Sequence, residues 1–166
     1  MFLDATVGTS TANSYVTEAE ADEYFINRSN ATSWEMSTQK EALLITASRL
    51  IDWQLQFKGA KTFESQSMKF PRTGIIMSDG ETIPSDIIPV EIKYAVFELA
   101  LLSMESDRVS DDPLAGLKEV KAGPLTVKTA TPNENPKNPT IPEFIKTLLS
   151  GFLASRNVGV YRLIRA

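Results

Sequence analysis

Few side chains in this sequence are of types that do covalent chemistry. It contains no cysteine and no histidine. That removes disulfides, thiolate nucleophiles and zinc thiolate sites, and also the commonest general base and the Ser-His-Asp arrangement. Ser37-Thr38-Gln39-Lys40 has Ser-x-x-Lys spacing, but the other motifs of the penicillin-binding enzymes are missing and the serine sits where a helix should start. Ser37 or Thr38 therefore reads as a helix cap. Asp79, Glu81 and Asp86 lack the spacing of a calcium loop, and no Gly-x-x-x-x-Gly-Lys nucleotide loop is present. The expectation is a protein that is not an enzyme and that uses no cofactor and no metal.

Binding chemistry is left. Lys58, Lys61 and Lys69 cluster around Phe57, Phe63 and Phe70, a thin version of the basic, aromatic groove that holds single-stranded nucleic acid. Glu91, Glu98 and Glu105 recur every seven residues. At that spacing they share one helix face, drifting only about 20° per heptad. They read either as a solvated stripe or as an acidic line facing a lumen or a neighbouring subunit. Arg72 stands between Pro71 and Gly74. Its planar fork can reach helix C-terminal carbonyls or a carboxylate, or it is a solvated turn arginine. Trp53 reads as a core residue at a helix end.

The elements that position these residues follow from periodicity. Thr17-Glu18-Ala19-Glu20 is a capping box, and the spacing predicts a helix over about 18–28 with Ala21, Tyr24 and Phe25 on one face. A second helix is predicted over about 39–56, with a broad stripe of Leu43, Leu44, Ala47, Leu50, Ile51 and Leu55. A third, about 89–107, is apolar around most of its circumference and should be the central one. Between them, Met68–Pro89 holds three prolines and two glycines together with Phe70, Ile75, Ile76, Met77, Ile83, Ile87 and Ile88. It cannot be a regular helix and is too apolar for a solvated linker, so it is predicted as an ordered crossover pinned onto the helices. Within it Asp79-Gly80 joins two short strands, about 75–77 and 81–83. Residues 117–121 and 125–128 alternate about Ala122-Gly123-Pro124 and read as a β-hairpin. A proline- and asparagine-rich linker covers 131–139, and a second capping box at Thr140 opens a helix to about Ala154. Residues 1–16 are expected to be extended.

The sum is a mainly α fold: a small bundle of about four helices with a β-hairpin and an extended C-terminal arm. We divide it as 1–130, a helical body with crossover and hairpin; 131–140, a linker; and 141–166, a C-terminal helix and docking arm. Apolar residues are 42% and charged residues 23%, ordinary for a soluble domain. The N-terminus does not read as a signal peptide and no apolar run approaches a membrane span, so synthesis in the cytoplasm is expected.

Charge is uneven. Residues 1–143 carry 13 basic and 21 acidic side chains, a net −8, while 144–166 carry Lys146, Arg156, Arg162 and Arg165 and no acid, +4. An acidic body is a poor general grip on phosphates. In the last segment Val158, Val160, Tyr161, Arg162, Leu163, Ile164 and Arg165 mix β-branched, aromatic and arginine residues. This composition suits an arm that orders in a partner's groove or adds a strand to a sheet; the plain alternative is a last strand on the protein's own sheet.

One set of residues carries a family resemblance. It comprises Ala12-Asn13-Ser14-Tyr15-Val16-Thr17, a helix ending Arg49-Leu50-Ile51-Asp52, Phe57-Lys58-Gly59-Ala60-Lys61, Gln66, Phe70-Pro71-Arg72-Thr73-Gly74, Ile83-Pro84 and a helix reading Ile92-Lys93-Tyr94-Ala95-Val96-Phe97-Glu98-Leu99-Ala100-Leu101-Leu102. Over about the first two thirds of the chain this resembles the head–tail connector (adaptor) proteins of tailed phages, often labelled DnaT-like single-stranded-DNA-binding. Phe70 stands where that pattern usually has tryptophan. The resemblance implies a structural virion protein assembled as a homo-oligomeric, dodecameric ring under the portal. It further implies double-stranded genome DNA passing through without sequence-specific contact, and a tail or stopper protein attached below. By position, the portal-binding role falls on Val158–Ala166. Neither membrane nor cofactor enters. The alternative is the replication role in the family label, single-stranded-DNA binding; a small regulatory interaction domain is a third reading.

Overall fold

The computed structural model describes residues 2–105, 119–122, 125–128 and 141–154. Helix α4, Val90–Glu105, is the element about which the others are arranged. Ile92, Ala95, Val96, Phe97, Leu99, Ala100 and Leu101 are all buried, as a helix apolar on nearly every side requires. It starts where Pro89 offers its carbonyl to the amides of Ile92 and Lys93. Helix α3, Lys40–Gln54, runs along it in the largest helix–helix contact and buries Leu44, Ile45, Ala47, Ser48, Leu50 and Ile51. Helix α1, Glu18–Ile26, leans on α3; the one-turn α2, Thr32–Glu35, and α5, Glu143–Leu148, lean on α4. Ile141, Ile145, Leu149 and Phe152 are buried in the same core, so the last helix packs on the body of its own chain.

The mainly helical fold with a small hairpin is the one the sequence pattern indicates. The Thr17 capping box is present in both halves: the Glu20 amide donates to Thr17 Oγ1 and the Thr17 amide to Glu20 Oε2. Several details differ. Neither Ser37 nor Thr38 caps α3. The helix begins behind Gln39 without a side-chain cap, and Ser37 Oγ instead accepts the Gln39 amide in the preceding turn. α5 begins behind Pro142 and is shorter than its apolar stripe suggests, because the chain turns at Leu149–Phe152. α2 was hidden by its length, yet it buries Trp34, whose indole N–H donates to Asp22. Residues 2–14 are not extended. Asp4 and Asn13 bind each other through backbone and side chain, and the Asp4 carboxylate takes Thr6 and Thr11, closing a loop.

Strands are short. β1, Ala60–Lys61, pairs antiparallel with β2, Arg72–Thr73. The expected turn at Asp79-Gly80 is a narrow hairpin with one bridge, Ile76 opposite Thr82, in which Gly80 takes φ +91°. β3, Glu119–Ala122, and β4, Leu125–Lys128, form a separate two-stranded sheet with Val120 opposite Val127. Among the described residues no helix is long and apolar enough to cross a membrane.

Candidate functional site

The crossover is tied at Phe70–Arg72. The Phe70–Pro71 peptide is cis. Phe70 is buried with Tyr15, Phe57 and Phe152 edge-on around it, at ring-centroid distances of 6.1, 4.9 and 6.3 Å. Such edge-to-face pairs add to the gain from burial alone. Arg72 then points its fork at backbone. Nε donates to Lys58 O at 2.7 Å, Nη2 to Gly59 O at 2.6 Å and Phe57 O at 3.4 Å, and Nη1 to Lys69 O at 3.1 Å. These carbonyls belong to the loop beyond α3 and to the crossover, so the fork meets neither a carboxylate nor the helix C-terminal carbonyls expected of it. Burial pulls the Arg72 pKa down; the Tyr15 hydroxyl and the Asp52 carboxylate oppose that shift.

The same knot fixes both flanks. Gln66, buried, donates to Met68 O and Pro71 O and accepts the Phe63 amide. Asp52 Oδ1 accepts the Lys69 amide and the Tyr15 hydroxyl. Burial, then the Asp52 charge, pushes the Tyr15 pKa well up, so Tyr15 is a neutral donor. Gly59 lies at φ +69°, and a Cβ there would stand 2.1 Å from Thr73 O, so no other residue fits that close crossing. Gly74 also takes positive φ, +75°, and is exposed.

Residues 57–59, held by Arg72 on one side, hold the end of the described chain on the other. The Lys58 amide donates to Phe152 O at 2.8 Å, the Ala154 amide to Gln56 O at 2.9 Å, and Phe57 bridges Leu153 antiparallel. Lys58 Nζ adds a bond to Gly151 O. The last described residues, 152–154, are therefore seated on a stretch that Arg72 and Phe70 brace. Val158, Val160, Tyr161, Arg162, Leu163, Ile164 and Arg165 lie outside the described residues.

The basic cluster is spent. Lys58, Lys61 and Lys69 each direct their ammonium at backbone carbonyls: Gly151 O, Gln66 O and Leu55 O respectively. The last is the C-cap residue of α3, a favoured place for a cation. Elsewhere in residues 2–105, Arg28, Lys40 and Lys93 are paired with Glu98, Asp22 and Glu20 at 2.6–3.0 Å.

The acidic heptad divides. Glu98 turns into the α1–α4 contact, where its carboxylate takes both Arg28 Nε and Nη2 at 3.0 Å and the Tyr24 hydroxyl at 2.7 Å. Burial works to raise its pKa, but the Arg28 and Tyr24 hydrogen bonds outweigh burial and hold it below the usual value. Glu91 is half-exposed and Glu105 exposed, so only these two of the three face outward.

Sequence reasoning misplaced one aromatic. Trp53 is 66% exposed, not core, because Leu55 takes the buried position as the chain leaves α3. It shares an outer face of α3 with Arg49, one turn earlier. Among the described residues no group of three or more acids could hold a metal.

A family model described as "Putative DnaT-like ssDNA binding protein" matches residues 1–166. No curated protein and no solved structure matches the chain.

Proposed function

We propose, from the premise that this chain belongs to the DnaT-like ssDNA-binding family, that it is a non-enzymatic head–tail connector of a tailed-phage virion. In this reading copies form a dodecameric ring beneath the portal, genome DNA passes through the ring, and tail or stopper components attach below it. The protein is made in the host cytoplasm and acts in the virion.

The observation that carries the reading is the clip of residues 152–154 onto 56–58, braced by Arg72. It gives the arginine-bearing segment that follows a fixed point of departure, which lowers the ordering cost of seating that segment in a portal groove. The charge supports it too. Residues 2–105 carry 8 basic and 15 acidic side chains, net −7, and every basic one has a partner within the fold. An acidic wall with no spare cations lets DNA slide rather than gripping its phosphates.

Deleting Asn157–Ala166 tests this reading. We expect portal attachment to be lost while helical circular dichroism stays unchanged. Attachment that survives the deletion refutes the assignment of the tail.

Single-stranded-DNA binding is the second reading. It is favoured by the family description and by the exposed Trp53 beside Arg49, a pairing able to stack a base. A salt-dependent shift of a labelled oligonucleotide, abolished in Trp53→Ala, would select it over the connector.

A further inference from the structure

The narrow hairpin over residues 75–83 reaches the turn ahead of the 152–154 clip through the Met77 side chain. The hairpin itself is closed by the Met77 amide on Glu81 O at 2.8 Å and the Ile83 amide on Ile75 O at 3.1 Å. Its tip, residues 78–80, is exposed, while Met77 is half-buried and packs against the core. There the thioether lies on Gly151. A Cβ at Gly151 would stand 2.5 Å from Met77 Cε and 3.4 Å from Sδ, so the methyl fills the room that only a glycine leaves. Gly151 sits in the turn between the buried Leu149 and Phe152, and its carbonyl takes Lys58 Nζ. One residue further on, Phe152 O and the Ala154 amide make the bonds to residues 56–58.

The methionines differ in access and in what they touch. Met68 is only 6% exposed and Met36 is 80% exposed. Met77 stands between them, open enough for a small oxidant and packed at its sulfur. Sulfoxide formation turns a flexible apolar side chain into a polar one. On Met36 the new oxygen meets water. On Met77 it arises at a contact with no slack, and a buried oxygen without donors is costly. The charged donor at this turn, Lys58 Nζ, is committed to Gly151 O. Water can solvate the sulfoxide only if the side chain lifts off Gly151.

We propose that Met77 is an oxidation-sensitive latch: a hydroperoxide converts its thioether to the sulfoxide, the side chain leaves Gly151, and the clip of 152–154 onto 56–58 loosens. In the step, a lone pair on Met77 Sδ attacks one oxygen of the hydroperoxide. The S–O bond forms as the O–O bond breaks, sulfur is oxidised by two electrons, and the remainder of hydrogen peroxide leaves as water. Neither ring nor portal enters, because latch and clip belong to one chain. The effect therefore stands or falls apart from the connector reading.

The full chain is treated with hydrogen peroxide. Peptide mass spectrometry shows which methionines gain oxygen, and hydrogen exchange reads the Lys58 and Ala154 amides. The expected result is oxidation of Met77 behind Met36 and well ahead of Met68. Exchange at both amides should then rise about tenfold and return after treatment with methionine sulfoxide reductases. Met77→Leu, a volume-conserving change, should still be oxidised at Met36 and show no rise. A second comparison needs no variant: in partly oxidised chains, the fast-exchanging fraction should follow oxidation at Met77 and not at Met36. Three results overturn the proposal: Met77 oxidised no faster than Met68, unchanged exchange at the two amides once Met77 is oxidised, or the same rise in Met77→Leu.

Discussion

Arg72→Met removes the fork that gathers four carbonyls while keeping the length of the side chain. The Phe57, Lys58, Gly59 and Lys69 carbonyls lose a charged donor. Hydrogen bonds to charged groups are worth roughly 1.5–3 kcal/mol each when buried. The guanidinium is only part-buried, so water reaches some of these carbonyls once it is gone. The two contacts of 2.6 and 2.7 Å should dominate, and we expect a total loss of about 3 kcal/mol. In a chain of this size that lowers Tm by roughly 6–12 °C. Arg72→Lys keeps the charge but reaches fewer carbonyls and should lose about half as much. Thermal unfolding by circular dichroism gives the magnitude and hydrogen exchange the location: the Lys58 and Ala154 amides, which tie residues 56–58 to 152–154, should lose protection first. A loss below about 1 kcal/mol, or unchanged exchange at those two amides, would refute the claim that Arg72 braces the root of the C-terminal segment.

Other perturbations test neighbouring parts. Gly59→Ala should cost about 2–4 kcal/mol, because the new Cβ meets Thr73 O at 2.1 Å in a positive-φ backbone, whereas Gly80→Ala, with open space around it, should cost about 1 kcal/mol by chemical denaturation. Phe152→Ala empties a fully buried site and should cost about 3–5 kcal/mol, with α5 losing exchange protection ahead of α3 and α4. Acid should destabilise the fold. Glu20 and Glu98, despite opposing burial, and Asp22, through its Lys40 hydrogen bond, are all held below their ordinary pKa values. Their contribution is complete above the unfolded carboxylate range and is lost as pH falls through the folded values. Glu98→Gln should therefore flatten the acid limb of a Tm-versus-pH curve.

Helices α3 and α4 were legible because each carries a long periodic apolar stripe, and Thr17 with Glu20 marked the start of α1 to the residue. The site was legible in part. Phe70, Pro71 and Arg72 stood out for their composition, but nothing local says that Arg72 would collect carbonyls from residues 57–59, since backbone acceptors carry no sequence signature. The three lysines looked like a patch because spacing shows where charges lie along the chain, not what they bond. Glu98 looked equivalent to Glu91 and Glu105 by heptad spacing. Its different fate is set by Arg28 and Tyr24, about seventy residues earlier in the chain. Trp53 was misplaced for a similar reason, since the long stripe of α3 stops short of it, and the burial of Trp34 went unread because its four-residue helix is too short to show periodicity.

The central claim is that this chain is a connector whose last segment seats in a portal. The most direct measurement is the native mass of purified portal mixed with the full chain. The expected result is one large complex carrying a ring's worth of copies. A portal that keeps its own mass, beside a chain that stays apart from it, would contradict the account.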